Sequence, residues 1–376
     1  MKKILILIGE YLPGYKAGGP VQTIKNLTDC LGEEYEFYIL TADRDLGDNK
    51  AYDNIQYDQW NQVGRAKVWY VKPGRFTTAI IQRLSENMGL IYVCGCFNDY
   101  ARNAMRLKRR GKLNMPVVIA PMGMFSQGAF RIKYVKKKAY ISLCKLLGWF
   151  RNIVWCVTGE HDRQDVWRII GKDAVCYLAE NIPRQMEHFP TPLPKEKGML
   201  RVIFLSRISP KKNLDYALEI LQKVKGNVVF DIYGVLEDQA YFSLCQEKMK
   251  ALPKNIICQY HGGVEPHRTL EVFEQYHVFL FPTKGENFGH VIYEAMAGGC
   301  IPVISDQCPW KDLETKQAGR VLALDDKEAY VKALQELIDM DYAEYGRWQS
   351  RAAQYAWEYG KRADGSGYRK VFETAD

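Results

Sequence analysis

The 376-residue sequence predicts two tandem α/β domains, each built on a parallel sheet. Three observations carry that reading. Short, continuously apolar runs alternate with amphipathic stretches, as in parallel strands buried on both faces and joined by helices. The alternation stops at Thr191-Pro192-Leu193-Pro194-Lys195-Glu196-Lys197-Gly198, a proline- and glycine-bearing stretch, and then restarts. The length also suits two domains, each able to bury its own core.

In the first domain, residues 4–8 form an apolar strand. Pro13-Gly14 and Gly18-Gly19 break the chain before a helix over 21–31. Further strands are expected near 36–40, 67–71, 90–93, 117–120 and 154–157, with helices near 77–87, 98–110, 132–149 and 160–170. The second domain opens with a strand over 200–206 and a helix over 214–224. Its other strands fall near 228–233, 256–259, 278–281, 301–304 and 320–322. The tail reads as two helices, 327–340 and 342–359, rich in Tyr345, Trp348, Tyr355, Trp357 and Tyr359. These patterns give a first domain over 1–187, a linker over 188–198 and a second domain over 199–359. Ligands of open parallel sheets sit at the carboxyl ends of the strands, so two such domains facing one another would make an interdomain cleft.

Composition narrows the function classes. With 47% hydrophobic and 26% charged residues the chain is ordinarily globular, and no apolar run has the length of a membrane span. The apolar start at 4–8 is too short for a signal peptide and lacks a small-residue cleavage site. A cytoplasmic protein follows, with its ten cysteines reduced and serving as small core residues. Cys94-Gly95-Cys96 has neither metal-ligand nor redox spacing. The net charge of +8 is uneven: residues 1–185 hold 28 Lys and Arg against 17 Asp and Glu, the remainder 24 against 27. Between Arg102 and Arg151 there are thirteen basic residues and no acidic one, which suggests an anionic partner. No nucleic-acid recognition motif accompanies them.

Three segments carry candidate chemistry. In Ser206-Arg207-Ile208-Ser209-Pro210-Lys211-Lys212-Asn213, Arg207 closes a strand and Lys212 precedes the next helix. A forked guanidinium and a compact ammonium in one crevice suit a leaving diphosphate. In Gly285-Glu286-Asn287-Phe288-Gly289-His290-Val291-Ile292-Tyr293-Glu294, a glycine turn leads into a helix between two apolar strands, a layout that aims backbone N–H groups at phosphate. A phosphate site beside two carboxylates that can accept from hydroxyls makes a nucleotide sugar the first ligand to consider, with Glu286 assigned to the hydroxyls of its sugar and Glu294 to those of its ribose. Asn287, Phe288, Gly289, His290 and Val291 lie along the donor. Directly after the first strand, Gly18-Gly19 allow close approach of backbone to a phosphate.

Together these segments resemble the family-4 glycosyltransferases of the GT-B fold. The matching residues are Gly18-Gly19, Arg207 with Lys212, Glu286…Glu294, Asn181 within Ala179-Glu180-Asn181-Ile182-Pro183, Gly234, and Gly263-Val264. The resemblance implies a retaining transfer from a nucleotide-diphosphate sugar, UDP rather than GDP, with no metal and no other cofactor. It places Gly234, Gly263 and Val264 near the base, and returns a final helix over 360–376 to the first domain. Many relatives carry a histidine in the first domain. Here all six histidines lie at or beyond position 161, and the matching segment is Ala120-Pro121-Met122-Gly123-Met124, so the leaving diphosphate is expected to take the acceptor proton.

The acceptor side is assigned to the basic stretch through Lys133, Lys136, Lys137, Lys138, Arg109, Arg110 and Trp149. A basic amphipathic helix with aromatic residues suits an anionic membrane surface. The expected acceptor is a glycan or a lipid-diphosphate-linked glycan of bacterial surface polysaccharide assembly, the enzyme being peripheral at the inner face of the plasma membrane. A nucleotide-sugar epimerase of the same fold and a non-catalytic nucleotide-sugar-binding protein are the alternatives.

Overall fold

The computed structural model describes residues 1–131 and 133–374; Ile132, the expected start of a helix, lies outside the described residues. The chain divides into two compact units. One comprises Met1–Ile182 and the stretch from Ala363 onward; the other is Pro183–Arg362.

The first unit holds an eight-stranded sheet of β1 (Lys2–Leu7), β2 (Tyr35–Ala42), β3 (Asn61–Val63), β4 (Ala66–Val71), β5 (Leu90–Cys94), β6 (Val117–Ala120), β7 (Ile153–Val157) and β8 (Val175–Leu178). Their order is β3-β4-β2-β1-β5-β6-β7-β8. Only β3 runs antiparallel, against β4. The central strands are apolar on both faces because helices cover both, and Ile4 to Leu7 are fully buried. The edge elements β3 and β8 escape the sequence reading, since one is short and polar and the other is only four residues long with both ends exposed.

Helices α1 (Gly19–Leu31), α2 (Thr78–Leu84), α3 (Asp99–Arg109), α4 (Gln127–Arg131), α5 (Tyr134–Leu146) and α6 (Glu160–Ile169) connect the strands. The helix expected over 132–149 is shorter. Lys133 takes a left-handed conformation (φ 57°) before α5, and Gly148 does so beyond its end (φ 64°). Backbone of that hand cannot continue a right-handed helix.

The second unit holds β9 (Met199–Leu205), β10 (Asn227–Tyr233), β11 (Ile256–Gly262), β12 (Val278–Phe281), β13 (Ile301–Ser305) and β14 (Arg320–Leu322), in the order β11-β10-β9-β12-β13-β14 and parallel throughout. Its helices are α7 (Leu214–Leu221), α8 (Gln239–Lys250), α9 (Thr269–Phe273), α10 (His290–Ala297), α11 (Lys327–Asp339) and α12 (Tyr342–Arg362). The stretch read as a linker is fastened to this unit. The Lys195 ammonium donates to the carbonyls of Ile338 (3.0 Å) and Met340 (3.1 Å), and Gln349 Nε2 donates to the Thr191 carbonyl (3.4 Å).

The aromatic tail also packs within the second unit. The Tyr359 ring lies 4.8 Å from Trp310 and 5.8 Å from Phe288, and Tyr345 is fully buried. The residues that enter the first unit come later, on α13 (Ser366–Thr374). Phe372 meets Tyr35 edge-on at 5.1 Å, and Tyr368 and Val371 complete that contact in the core. A fully buried aromatic of this kind contributes about 1.5–3 kcal/mol.

Candidate active site

In the second sheet the chain winds outward in opposite directions from β9 and β12, and ligands of such sheets bind where the order reverses. The loops beyond those two strands carry Arg207 to Asn213 and Thr283 to Gly289. They are tied together through backbone. Lys284 N donates to the Lys211 carbonyl (2.9 Å), and Asn213 Nδ2 donates to the Pro282 carbonyl (2.9 Å). Ser305 Oγ at the end of β13 donates to the Thr283 carbonyl (2.5 Å). On the other side, Ile208 N donates to the Val235 carbonyl (2.9 Å). Gly234 admits no side chain, because a Cβ there would stand 1.7 Å from the Ser206 carbonyl oxygen.

The structure brings Lys212 and Glu286 into direct contact. Lys212 Nζ lies 2.6 Å from Glu286 Oε1, with the two side chains only 10% and 12% exposed. Thr283 Oγ1 donates to the same oxygen (3.0 Å). Glu286 Oε2 takes no bond among the described residues and stays available. Thr283 is a site residue that sequence reasoning missed; a threonine at a strand end has no signature of its own. Arg207 pairs instead with Glu237 (3.1 Å), both partly exposed, so its guanidinium is held without being consumed. Lys211 belongs to the same loop.

Beyond Glu286, Gly289 takes the left-handed conformation (φ 79°) at the start of α10. Phe288 is buried, with its carbonyl bound by Trp310 Nε1 (2.6 Å) and its ring 4.7 Å from His290. Burial pushes His290 down to about 3, so its ring is neutral. Asn287 and Val291 are half-buried beside it. Glu294 lies on the second turn of α10. Its carboxylate makes no hydrogen bond among the described residues, and burial raises its pKa to about 7 against the opposing pull of Arg184. A carboxyl group in that state lacks the donors that a hydroxyl pair would supply. Gly263 and Val264 follow β11; the left-handed turn residue there is their neighbour Gly262 (φ 81°). His261 stacks on Tyr233 at 4.7 Å and bonds Asp231 at 2.7 Å, an arrangement the sequence pattern did not reveal.

In the first unit the order reverses between β1 and β5. A cavity of about 460 Å³ lies there, walled by Glu10, Asp45, Asp48, Asp99 and Tyr100, with Ala17 and Pro20 flanking Gly18-Gly19. The Tyr15 and Lys16 amides beside the glycines already donate to the Asp45 carboxylate (2.8 and 3.1 Å). Arg44 bonds Asp43 (2.8 Å). Burial and the Asp45 charge raise the pKa of Glu10. Gly18 N donates to the Tyr15 carbonyl (2.9 Å), and open space surrounds Gly19, so the glycine turn borders a crevice that also holds these carboxylates. Asn181 lies elsewhere in this unit, accepting from Thr23 Oγ1 on α1 (3.2 Å).

The basic residues assigned to the acceptor do not form one patch. Lys133, Lys136, Lys137 and Lys138 lie at the start of α5, toward the carboxyl ends of the strands. Arg109, Arg110 and Trp149 lie at the other end, beyond α3 and α5, separated from the first group by about 18 Å of helix. Lys137 is committed to the Ala129 carbonyl (2.6 Å) and to the Phe97 ring (5.2 Å). Trp149 is half-buried, with Arg106 over its ring. Among the described residues no helix is long and apolar enough to cross a membrane.

Residues 183–355 match the family model of glycosyl transferases group 1, which spans nearly all of the second unit. Among curated protein sequences nothing matches. Solved structures match along the whole length. Sucrose-phosphate synthase from Thermosynechococcus elongatus has a TM-score of 0.71 at 16% identity, with 100% of both chains covered. Anabaena HepE in complex with UDP and glucose has a TM-score of 0.69 at 13% identity, covering 100% of this chain and 99% of that one. WaaG, a glycosyltransferase involved in lipopolysaccharide biosynthesis, has a TM-score of 0.68 at 11% identity, covering 98% and 99%. The fold is that of the GT-B glycosyltransferases, and the group 1 domain makes the chain an enzyme of glycosyl transfer.

Proposed function

We propose that this glycosyl-transfer enzyme is a retaining transferase that moves a sugar from a nucleotide-diphosphate donor, UDP-linked in preference to GDP-linked, to a glycan or lipid-linked glycan of the cell surface. The observation that carries the reading is the Lys212–Glu286 pair at the switch point of the second sheet, with Arg207 alongside and Glu286 Oε2 left open. That the HepE structure holds UDP and glucose within the same fold supports the UDP preference, and the role of WaaG supports the surface-glycan setting.

In this reading the donor diphosphate meets Arg207 and Lys212, and Glu286 Oε2 accepts from a hydroxyl of the transferred sugar. The acceptor oxygen attacks the anomeric carbon as the bond to the diphosphate breaks. The acceptor proton passes to the departing diphosphate oxygen on the same face, through an oxocarbenium-like transition state. The two cations stabilise charge that grows on the leaving group, the largest single contribution in such chemistry. Glu294 receives the ribose hydroxyls. No metal takes part in the proposed reaction, and the acceptor is presented at an anionic membrane surface.

The experiment is incubation with UDP-, GDP- and ADP-sugars, reading nucleoside diphosphate release and the anomeric configuration of the product. Release from a UDP-sugar with retained configuration is expected. Inverted product, release from a GDP-sugar alone, or activity abolished by a chelator would each overturn the corresponding part. An interconverted nucleotide sugar with no release would establish the epimerase instead.

A further inference from the structure

We propose that Met122 is a specificity-determining residue of the first unit's crevice: with Met124 it receives the C–H face of an acceptor sugar ring, while Glu10 accepts from a hydroxyl at the ring's edge. The inference rests on the transfer reading given above and deepens it by naming what the first unit recognises.

The starting observation is a residue in an unfavourable conformation for its type. Beyond β6 the chain turns through Pro121-Met122-Gly123-Met124, with Met124 N donating to the Pro121 carbonyl (3.0 Å). Both central residues have positive φ, 51° at Met122 and 73° at Gly123. Such turns favour glycine, asparagine or aspartate at both positions, because a longer side chain crowds its own backbone there. Among the described residues the other non-glycine positions of positive φ are all polar or charged. Strain of this kind collects at binding sites, where the placement of the side chain offsets it.

That side chain goes to the crevice. Met122 and Met124 line the cavity of about 460 Å³ at the carboxyl ends of β1 and β5, together with Phe76 and Glu10. Met122 is half-buried and packs against the core at its base. Met124 lies over bare backbone, since a Cβ at Gly95 would stand 2.7 Å from its Cε. Unbranched, polarizable thioethers make a wall that adapts to an apolar face. The polar side of the same cavity offers an uncommitted acceptor. Asp45 accepts from the Tyr15 and Leu46 amides (both 2.8 Å). Asp48 pairs with Lys16 (2.5 Å) and Asp99 with Arg102 (2.8 Å). Glu10 has no hydrogen-bond partner among the described residues. An apolar wall and a free carboxylate in one small-molecule-sized cavity match a pyranose, which is apolar on its C–H faces and polar at its rim. A phosphate group would leave the thioethers unused.

The test is methyl NMR on the full chain with isotope-labelled methionine, Met122→Leu and Met124→Leu identifying the two resonances. Methyl glycosides of glucose, galactose and mannose are titrated to high millimolar concentration, with glycerol and inorganic phosphate as controls. At least one glycoside is expected to shift the Met122 and Met124 methyls and leave the remaining methionines unmoved, and the controls to shift neither. No shift from any glycoside, or an equal shift with glycerol, overturns the proposal. Met122→Gly suits the turn and removes the thioether, so it should weaken glycoside binding about tenfold, the worth of one apolar contact face, while its melting temperature stays near that of wild type. Met122→Asn, equally suited to the turn, should do the same. A lowered melting temperature with unchanged glycoside affinity in both variants would make Met122 a core residue only. The transfer reading fails separately. If no nucleoside diphosphate is released from any nucleotide sugar, that reading falls whatever the methyls do; release without the methyl shifts removes the Met122 site alone.

Discussion

At the switch point of the second sheet, between β9 and β12, the chain gathers Arg207, Lys211 and Lys212 around Glu286. At the equivalent point of the first sheet, between β1 and β5, it gathers Glu10, Asp45, Asp48 and Asp99, with Arg44 already bonded to Asp43. The topology is shared and the chemistry is opposite. A parallel sheet supplies a crevice at that position whatever its sequence, and the loops decide what the crevice holds. Three cations matched by two carboxylates, Glu286 and Glu237, suit a diphosphate beside sugar hydroxyls. In the first crevice carboxylates outnumber cations, with Asp48 paired to Lys16 (2.5 Å) and Asp99 to Arg102 (2.8 Å), a balance that suits hydroxyls or an amine better than phosphate. The net charge of each half conceals this, since the electronegative crevice belongs to the strongly basic half of the chain. That excess resides on helices α3 and α5 and around their ends.

The comparison breaks most sharply at Arg207 and the Lys212–Glu286 pair. Arg207→Ala should lower transfer by about 10²–10³-fold, as the loss of one donor to a developing anion does elsewhere. Glu286 requires more care than an alanine. Removing one partner of a mostly buried ion pair costs about 3–5 kcal/mol through the charge left behind, so Glu286→Ala would mix misfolding with lost chemistry. Glu286→Gln keeps the volume and a hydrogen-bond acceptor for Lys212, and should fold while losing transfer by a similar factor. Near-normal turnover in Arg207→Ala or in Glu286→Gln, measured as nucleoside diphosphate release with a melting curve alongside, would remove the second crevice from the reaction.

The two crevices were not equally legible in the sequence. The donor side was readable because its residues stand close together in the chain, in two segments flanked by unmistakable buried strands. The acidic crevice of the first unit was hidden because its members come from separate loops. Glu10 follows β1, Asp45 and Asp48 follow β2, and Asp99 opens α3; none carries a motif. Proximity in sequence also misled where it should not have counted. The run from Arg102 to Arg151 reads as one basic surface, yet α5 carries Lys136 and Leu146 to opposite ends of the sheet. The element pattern itself was recovered at the central strands and at the second sheet's edges β11 and β14, and was lost at the first sheet's edges, β3 with three residues and β8 with four.

The first unit's crevice gives the next prediction. Glu10→Gln leaves the donor side untouched and should raise KM for a hydroxyl-bearing acceptor by about 10- to 100-fold, the range of a hydrogen bond to a charged group. Slow hydrolysis of the donor without acceptor should continue at the wild-type rate. If hydrolysis falls in step with transfer, Glu10 serves the fold or the donor, and the assignment of hydroxyl chemistry to that crevice is wrong.

The smallest effect tests whether Glu294 belongs to the donor at all. Its pKa is raised to about 7, burial being the main cause, so the folded protein binds a proton there that the unfolded chain has already released above the ordinary glutamate range. A ligand whose hydroxyls donate to this group favours the ionised form. Affinity for a nucleotide-diphosphate sugar, whose phosphates do not titrate near neutrality, should therefore rise about tenfold between pH 6 and pH 8 through this group alone. The same proton works in the opposite direction on the fold: ionising a buried acid costs stability, so without ligand the protein should become less stable as pH climbs from about 4.5 towards 7. Glu294→Gln should flatten both trends and weaken donor binding at pH 8. Titration calorimetry across that range, paired with melting curves at each pH, distinguishes a ribose ligand from a merely buried acid, because only the ligand role couples affinity to the proton as well as stability.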